Sequence, residues 1–127
     1  MIYLDTSVAL AHLLGETRHP PDSLWQEPLI SSRLLQYECW TRLHASGRVD
    51  THGAALRDLL DRVAFLEMTP AVLARAMEPF PVVLRTLDAL HLASLEFLRA
   101  QGQPVRLASY DDRMCEAATR LGCPLVA

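Results

Sequence analysis

Short apolar runs alternate with longer amphipathic stretches along the chain. Residues 2–4, 29–30, 63–66 and 105–108 have the length and the apolar composition of buried strands, and residues 124–126 add a candidate edge strand. Helical patterns separate them, over residues 8–14, 33–46, 52–62, 70–77, 87–100 and 113–121. Residues 16–28 are polar and proline-bearing, which predicts a loop with a short turn around Trp25. The alternation predicts an α/β fold with a mainly parallel sheet.

The predicted helices carry start and stop signals. Hydroxyl side chains that can accept from free backbone N–H groups stand before four of them: Thr6 or Ser7, the serines at 31 and 32, Thr69 and Thr86. Glycines follow the last turn of four helices, at positions 15, 47, 102 and 122.

Two acids occupy equivalent positions in this pattern. Asp5 follows the first predicted strand and Asp111 follows the strand at 105–108, each directly before a helix. In a parallel sheet both acids lie at the same carboxyl edge, where open α/β sheets bind their ligands. The alternative is that each is an ordinary helix-capping carboxylate.

Two more acids lie on helix faces that are expected to point inward. Glu38 projects between Leu34 and Leu35 on its helix, although an ion pair with Arg42 on an exposed face is an alternative. Asp88 shares a face with leucines at positions 92 and 95. His91 is either a partner of Asp88 or a surface or satisfied core histidine.

Like charges gathered at one place require cations, and hard divalent metals with oxygen ligands meet that need. Magnesium or manganese held by carboxylates is typical of phosphodiester hydrolysis. The net charge is −3, so the chain without these four acids sums to +1 and need not repel a phosphate backbone. Arg85 and Arg113 are candidates to hold phosphates, whereas Arg106 is expected to be a solvated surface arginine.

The composition of the chain excludes several classes of enzyme and binding site. The chain of 127 residues is long enough for one domain, and its twelve basic residues are all arginine. The absence of lysine excludes Schiff-base chemistry, a P-loop and lysine-dependent aspartyl-phosphate sites. Three cysteines without a C-x-x-C pair do not suggest a disulfide framework or structural zinc. No leader or membrane segment is recognised, so we expect a soluble cytoplasmic protein.

Four motifs together resemble a PIN-domain ribonuclease, and in particular the VapC-type toxins of bacterial toxin–antitoxin pairs. They are Met-Ile-Tyr-Leu-Asp-Thr-Ser at residues 1–7, Glu38 in its helix, Leu-Arg-Thr-Leu-Asp-Ala-Leu-His-Leu-Ala at 84–93, and Ala-Ser-Tyr-Asp-Asp-Arg-Met at 108–114 with Gly122. The motifs occur in this order and extend over nearly the whole chain.

The resemblance implies a single PIN domain over residues 1–127, with a three-layer α/β/α fold and a small parallel sheet. It implies endonucleolytic RNA cleavage with one or two Mg²⁺ or Mn²⁺ ions per site. It also implies a homodimer and a cognate antitoxin. Carried over by motif, the catalytic and metal-binding residues are Asp5, Glu38, Asp88 and Asp111, with Thr6 and Ser109 as supporting hydroxyls. Asp112 matches no ligand position and is expected to cap a helix or lie outside the ligand set.

Three other functions remain open at this stage. The chain can be a PIN nuclease that acts in RNA processing without an antitoxin. It can be a catalytically degenerate domain that binds RNA or protein. A phosphotransfer domain with Asp5 as acceptor is disfavoured, because no lysine accompanies it.

Overall fold

The computed structural model describes residues 1–126. It contains four strands, one short 3-10 helix at Asp22–Gln26 and six α-helices. The strands are β1 (Ile2–Leu4), β2 (Leu29–Ser32), β3 (Val63–Leu66) and β4 (Arg106–Ala108). The helices are α1 (Thr6–Leu13), α2 (Arg33–Ala45), α3 (Val49–Asp61), α4 (Pro70–Ala76), α5 (Thr86–Ala100) and α6 (Asp112–Arg120).

The sheet is parallel throughout and has the strand order β3-β2-β1-β4. β1 therefore lies inside the sheet, with Ile2 opposite both Leu29 and Arg106. Since the strands are parallel, the chain leaves β1 and β4 at the same edge. Beyond β4, Leu125 forms a single parallel bridge to Leu107, so the predicted strand at 124–126 is reduced to one pair.

Two apolar cores lie on opposite faces of the sheet, and β1 contributes to both. Ile2 and Leu4 pack with buried residues of α1, α2 and α3. Tyr3 points the other way and packs with residues of α5, β4 and α6. This alternation is the period of two that a strand imposes. α4 packs against α5. The fold is therefore the predicted three-layer α/β/α arrangement.

Three details differ from the predicted elements. α1 begins at Thr6, so Asp5 takes the N-cap position, and no side chain caps that helix. α5 likewise begins at Thr86, with Arg85 in the N-cap position. α3 begins at Val49, three residues before the predicted start. The caps predicted at Ser32 and Thr69 are confirmed, since their hydroxyls accept from backbone N–H groups. No helix within residues 1–126 is long and apolar enough to cross a membrane.

Candidate active site

A cleft of about 360 Å³ opens at the carboxyl edge of the sheet. Its lining includes all four acids predicted from the sequence, Asp5, Glu38, Asp88 and Asp111. They arrive from four different elements: the turn after β1, the middle of α2, the first turn of α5 and the N-cap of α6. The fold therefore gathers carboxylates that are up to 106 residues apart in sequence at one edge.

Asp5 is the most deeply buried of these acids, with 4% of its surface exposed. Two hydroxyls donate to its Oδ2, Ser7 Oγ at 2.6 Å and Ser109 Oγ at 2.8 Å. Each hydroxyl is itself positioned by a backbone N–H, because Tyr110 donates to Ser7 Oγ and Asp111 donates to Ser109 Oγ. The loop after β4 is thus tied to the first turn of α1 through the Asp5 carboxylate.

Glu38 receives two donors on one oxygen. The Thr6 hydroxyl donates to its Oε1 at 3.1 Å, and His91 Nε2 lies 2.6 Å from the same atom. No ion pair with Arg42 forms among the described residues, so that alternative for Glu38 is wrong. The Thr6 hydroxyl thus contacts this acid and does not cap α1.

Asp88 and Asp111 share one arginine. Arg85 Nε lies 3.4 Å from Asp88 Oδ2, and its terminal nitrogen lies 3.7 Å from Asp111 Oδ2. The other oxygen of Asp111 accepts from the Met114 N–H at 3.0 Å and so caps α6. Asp112, which was expected as a cap or outside the ligand set, begins the helix and is exposed.

The electrostatics of the cleft are unfavourable for Asp88. Burial raises the pKa of its carboxyl above the ordinary value, and the negative charges of Asp111 and Asp5 raise it further. The contact with Arg85 offsets only part of this increase. An acid that is harder to ionise beside two others indicates a site in which an added cation is stabilising.

The donor set fits a hard divalent cation, because it consists of carboxylate and hydroxyl oxygens. As the side chains lie, no three His, Cys, Asp or Glu residues within positions 1–126 converge closely enough to hold one ion. Arg85 lies against two of the four acids. The donor atoms are therefore of the kind that a hard divalent cation binds and lie at one edge of the sheet, but in this arrangement they are not close enough together to hold one ion.

The positions of the arginines around the cleft differ from those predicted from the sequence. Arg85 lines the cleft together with Arg18 and Arg42, neither of which was predicted as a phosphate contact. Arg113 is exposed in the first turn of α6 and is not part of the cleft lining. Arg106, expected to be solvated, pairs with both oxygens of Glu27.

Three further side chains were missed as parts of the site. Ser7 was treated only as a cap, and Tyr3 only as a strand residue. His91 is the satisfied core histidine that was one of its predicted alternatives, but its contacts with Glu38 and Tyr3 were not predicted. The available local signal was the position of Ser7 two residues after Asp5, within reach of its carboxylate. No local sequence pattern indicates that His91 contacts Glu38 and Tyr3, which lie 53 and 88 positions away.

Comparison with known proteins identifies the family of the chain. The family model described as the PIN domain matches residues 2–120. The chain belongs to the PIN-domain family. It is also 34% identical over 131 aligned residues to Ribonuclease VapC46 of Mycobacterium tuberculosis strain H37Rv, an alignment that covers 99% of this chain and 96% of that protein. The similarity to a PIN-domain ribonuclease inferred from the motifs is confirmed.

Proposed function

We propose that this PIN-domain protein is a metal-dependent endoribonuclease toxin of the VapC type, neutralised by a cognate antitoxin. The observation that carries the proposal is the convergence of Asp5, Glu38, Asp88 and Asp111 on one cleft at the carboxyl edge of the sheet. The similarity to a protein named a VapC ribonuclease supports RNA as the substrate. We further propose that residues 1–127 form a single PIN domain in a cytoplasmic homodimer.

In this proposal the four acids hold one or two Mg²⁺ or Mn²⁺ ions, with Thr6 and Ser109 as supporting hydroxyls. When bound, such an ion lowers the pKa of a water molecule and stabilises charge on the phosphate oxygens. Ser7 and Ser109 keep the Asp5 carboxylate aimed from the end of β1. The Asp5 carboxylate is therefore preorganised and needs little rearrangement as charge develops.

The arginines provide the complementary charge for an RNA backbone. Arg18, Arg42 and Arg85 border the acidic cleft, and guanidinium groups bind phosphates through paired N–H donors. When Arg85 leaves Asp88 and Asp111, its side chain, which is 82% exposed, is free to turn toward a phosphate. Arg113 lies next to this region at the start of α6 and remains a candidate for a more distant phosphate contact.

The surface beside the cleft supports a protein partner. Tyr37 and Leu87 are large apolar side chains that remain 62% and 39% exposed, and they line a depression that includes Glu38. An apolar segment that binds there contacts Glu38, one of the four acids. We propose that the antitoxin occupies this depression and blocks the cleft.

A calorimetric Mn²⁺ titration of the wild type and Asp88→Asn tests the metal site. We expect binding in the wild type and its loss or strong weakening in the variant, with both proteins folded. The variant is also expected to stop cutting RNA. Absence of binding in both folded proteins, measured without any antitoxin, would instead support a degenerate domain that binds RNA or protein.

Expression in cells tests the toxin assignment separately. The chain alone should arrest growth, and co-expression of the neighbouring gene should relieve the arrest. A chain that binds Mn²⁺ and cuts RNA without arresting growth would support the alternative of an RNA-processing nuclease that acts without an antitoxin.

A further inference from the structure

A buried chain of hydrogen bonds ends on Glu38. His91 in α5 has 1% of its surface exposed, and both of its ring nitrogens have partners. Nδ1 lies 2.8 Å from the Tyr3 hydroxyl, and Nε2 lies 2.6 Å from Glu38 Oε1. The Tyr3 oxygen in turn accepts from the Ser32 N–H at 3.2 Å. The connected groups come from β2, β1, α5 and α2.

The hydrogen bonds from Ser32 to Glu38 all donate in the same direction, toward Glu38. An ionised carboxylate only accepts, so His91 Nε2 carries the proton that faces Glu38. In a neutral ring Nδ1 is then an acceptor, which matches the hydroxyl of Tyr3 as its donor. Burial raises the pKa of Tyr3, so that hydroxyl keeps its proton. Each polar group of the chain is therefore satisfied from the Ser32 backbone to Glu38.

The contacts on Glu38 are asymmetric. His91 and Thr6 both bond to Oε1, whereas no donor within residues 1–126 contacts Oε2. The side chain is 20% exposed and lines the acidic cleft. One oxygen is thus held from the protein interior, which leaves the other available to the cleft. Carboxylates that bind metals are commonly oriented by such hydrogen bonds from outside the ligand set.

We propose that His91, held by Tyr3, is the positioning residue that orients Glu38 for divalent-cation binding. This inference rests on the proposed function, because it assigns a role to Glu38 within the metal site. A buried histidine can also be retained only for packing in the core beneath α5. The two roles differ in what they predict for metal affinity at equal stability.

A matched pair of variants separates these roles. The side-chain amide of His91→Gln reaches about as far as Nε2 and can still donate to Glu38, whereas the shorter amide of His91→Asn cannot. We expect His91→Asn to weaken Mn²⁺ binding by about 10- to 100-fold, the usual effect of losing such a partner. We expect His91→Gln to bind Mn²⁺ with an affinity close to that of the wild type.

Leu98→Ala controls for stability. Leu98 is a buried residue of the same helix that belongs to the same core and does not line the cleft. We expect this variant to lower the melting temperature while its Mn²⁺ affinity stays at the wild-type value. Loss of affinity in Leu98→Ala equal to that in His91→Asn would overturn the positioning role, because general destabilisation would then explain both.

A double-mutant cycle with Glu38→Gln shows whether His91 acts through Glu38. In that background, His91→Asn should cause no further loss of Mn²⁺ affinity. A further loss equal to that in the wild-type background would overturn the proposal. Tyr3→Phe, which keeps the ring, should weaken binding less than His91→Asn does.

The tautomer of His91 provides a readout that needs no metal. Nitrogen-15 NMR of the metal-free chain should show the Nε2–H form, and the Nδ1–H form would overturn the proposal. Wild-type Mn²⁺ binding that His91→Asn leaves unchanged would remove the positioning role alone. Failure of the folded wild type to bind Mn²⁺ would remove both this role and the proposed function.

Discussion

Two hydroxyls hold the Asp5 carboxylate: Ser7 in the first turn of α1 and Ser109 in the loop after β4 both donate to one of its oxygens. Ser109 has a second task, since its oxygen also accepts the N–H of Asp111. A single hydroxyl therefore connects two candidate ligands. This residue is the point at which a small change is expected to affect both stability and metal binding.

Ser109→Ala should lower the free energy of unfolding by about 1–3 kcal/mol, the usual cost of leaving a partly buried polar group without its partner. It should also weaken Mn²⁺ binding, because Asp5 loses one of its two donors. Urea unfolding and calorimetry measure the two effects. Ser46→Ala is the matched control, since Ser46 is an exposed residue after α2 that bonds only to nearby carbonyls. Equal behaviour of the two variants would contradict this prediction.

The raised pKa of Asp88 predicts a pH dependence of stability in the absence of metal. The folded state binds the proton of this carboxyl more tightly than the unfolded chain, whose pKa is near the ordinary 3.8. The resulting stabilisation is complete below that value and is lost as the pH rises through the folded pKa. Ionised Asp88 thus destabilises the metal-free protein near neutral pH.

Asp88→Asn, which cannot ionise, should therefore melt at a higher temperature than the wild type in EDTA near pH 7. The difference should shrink as the pH falls toward the ordinary pKa of the carboxyl, because wild-type Asp88 becomes neutral. Thermal melts across this pH range provide the measurement. A variant that is less stable than the wild type at pH 7 would show that the contact with Arg85 outweighs the crowding of the acids.

At the scale of elements, α2 and α5 each place an acid in the cleft and bury neighbouring side chains in the core. α5 presents Asp88 to the cleft in its first turn and buries His91 one turn later. α2 buries Leu35 and Cys39 on either side of Glu38 in sequence. The ends of these helices therefore affect the site, because they determine how each helix packs against the sheet.

Substitution by alanine should change the free energy of unfolding in opposite directions at two glycines, Gly47 after α2 and Gly53 within α3. Gly47 has φ +69°, so Gly47→Ala should cost about 1–2 kcal/mol of unfolding free energy. Gly53 lies inside α3, where a Cβ would meet Trp40 at an ordinary 3.6 Å. Gly53→Ala should therefore stabilise the protein by about 0.5–1 kcal/mol. Urea unfolding tests both, and a stabilising Gly47→Ala would contradict the assignment of its conformation.

At the scale of the whole molecule, the acidic cleft adjoins a second cavity of about 280 Å³. Both are bordered by Arg18 and Tyr110, and the Arg18 guanidinium lies 4.2 Å from the centre of the Tyr110 ring. Single-stranded RNA is commonly held by bases stacked on aromatic rings and on guanidinium planes. The arrangement favours an RNA strand that crosses the acids and places a base beside Tyr110.

Tyr110→Ala should raise the KM for RNA about 5- to 150-fold, since base stacking is worth about 1–3 kcal/mol. Mn²⁺ affinity should not change, because Tyr110 supplies no side-chain bond to the four acids in the described residues. Tyr110→Phe retains the ring and should keep the wild-type KM. A wild-type KM in Tyr110→Ala would place the RNA elsewhere.

Much of the fold and part of the site could be predicted from local patterns. β3 has the predicted bounds, and the short turn predicted around Trp25 is present as a 3-10 helix. Asp5 and Asp111 meet at one edge because two strand-to-helix turns in a parallel sheet must do so. The predicted caps at Thr6 or Ser7 failed, since local capping propensity was outweighed by bonds to Glu38 and Asp5.

The sequence by itself determined the α/β class, the family and the four acids that gather in the cleft, because hydrophobic period, turn chemistry and motif order are local properties. Only the tertiary structure decided what each acid contacts. His91 meets Glu38 across 53 residues, and Ser109 meets Asp5 across 104. Such contacts depend on how the helices pack against the sheet. A local sequence pattern does not specify which residues will meet across so large a sequence separation.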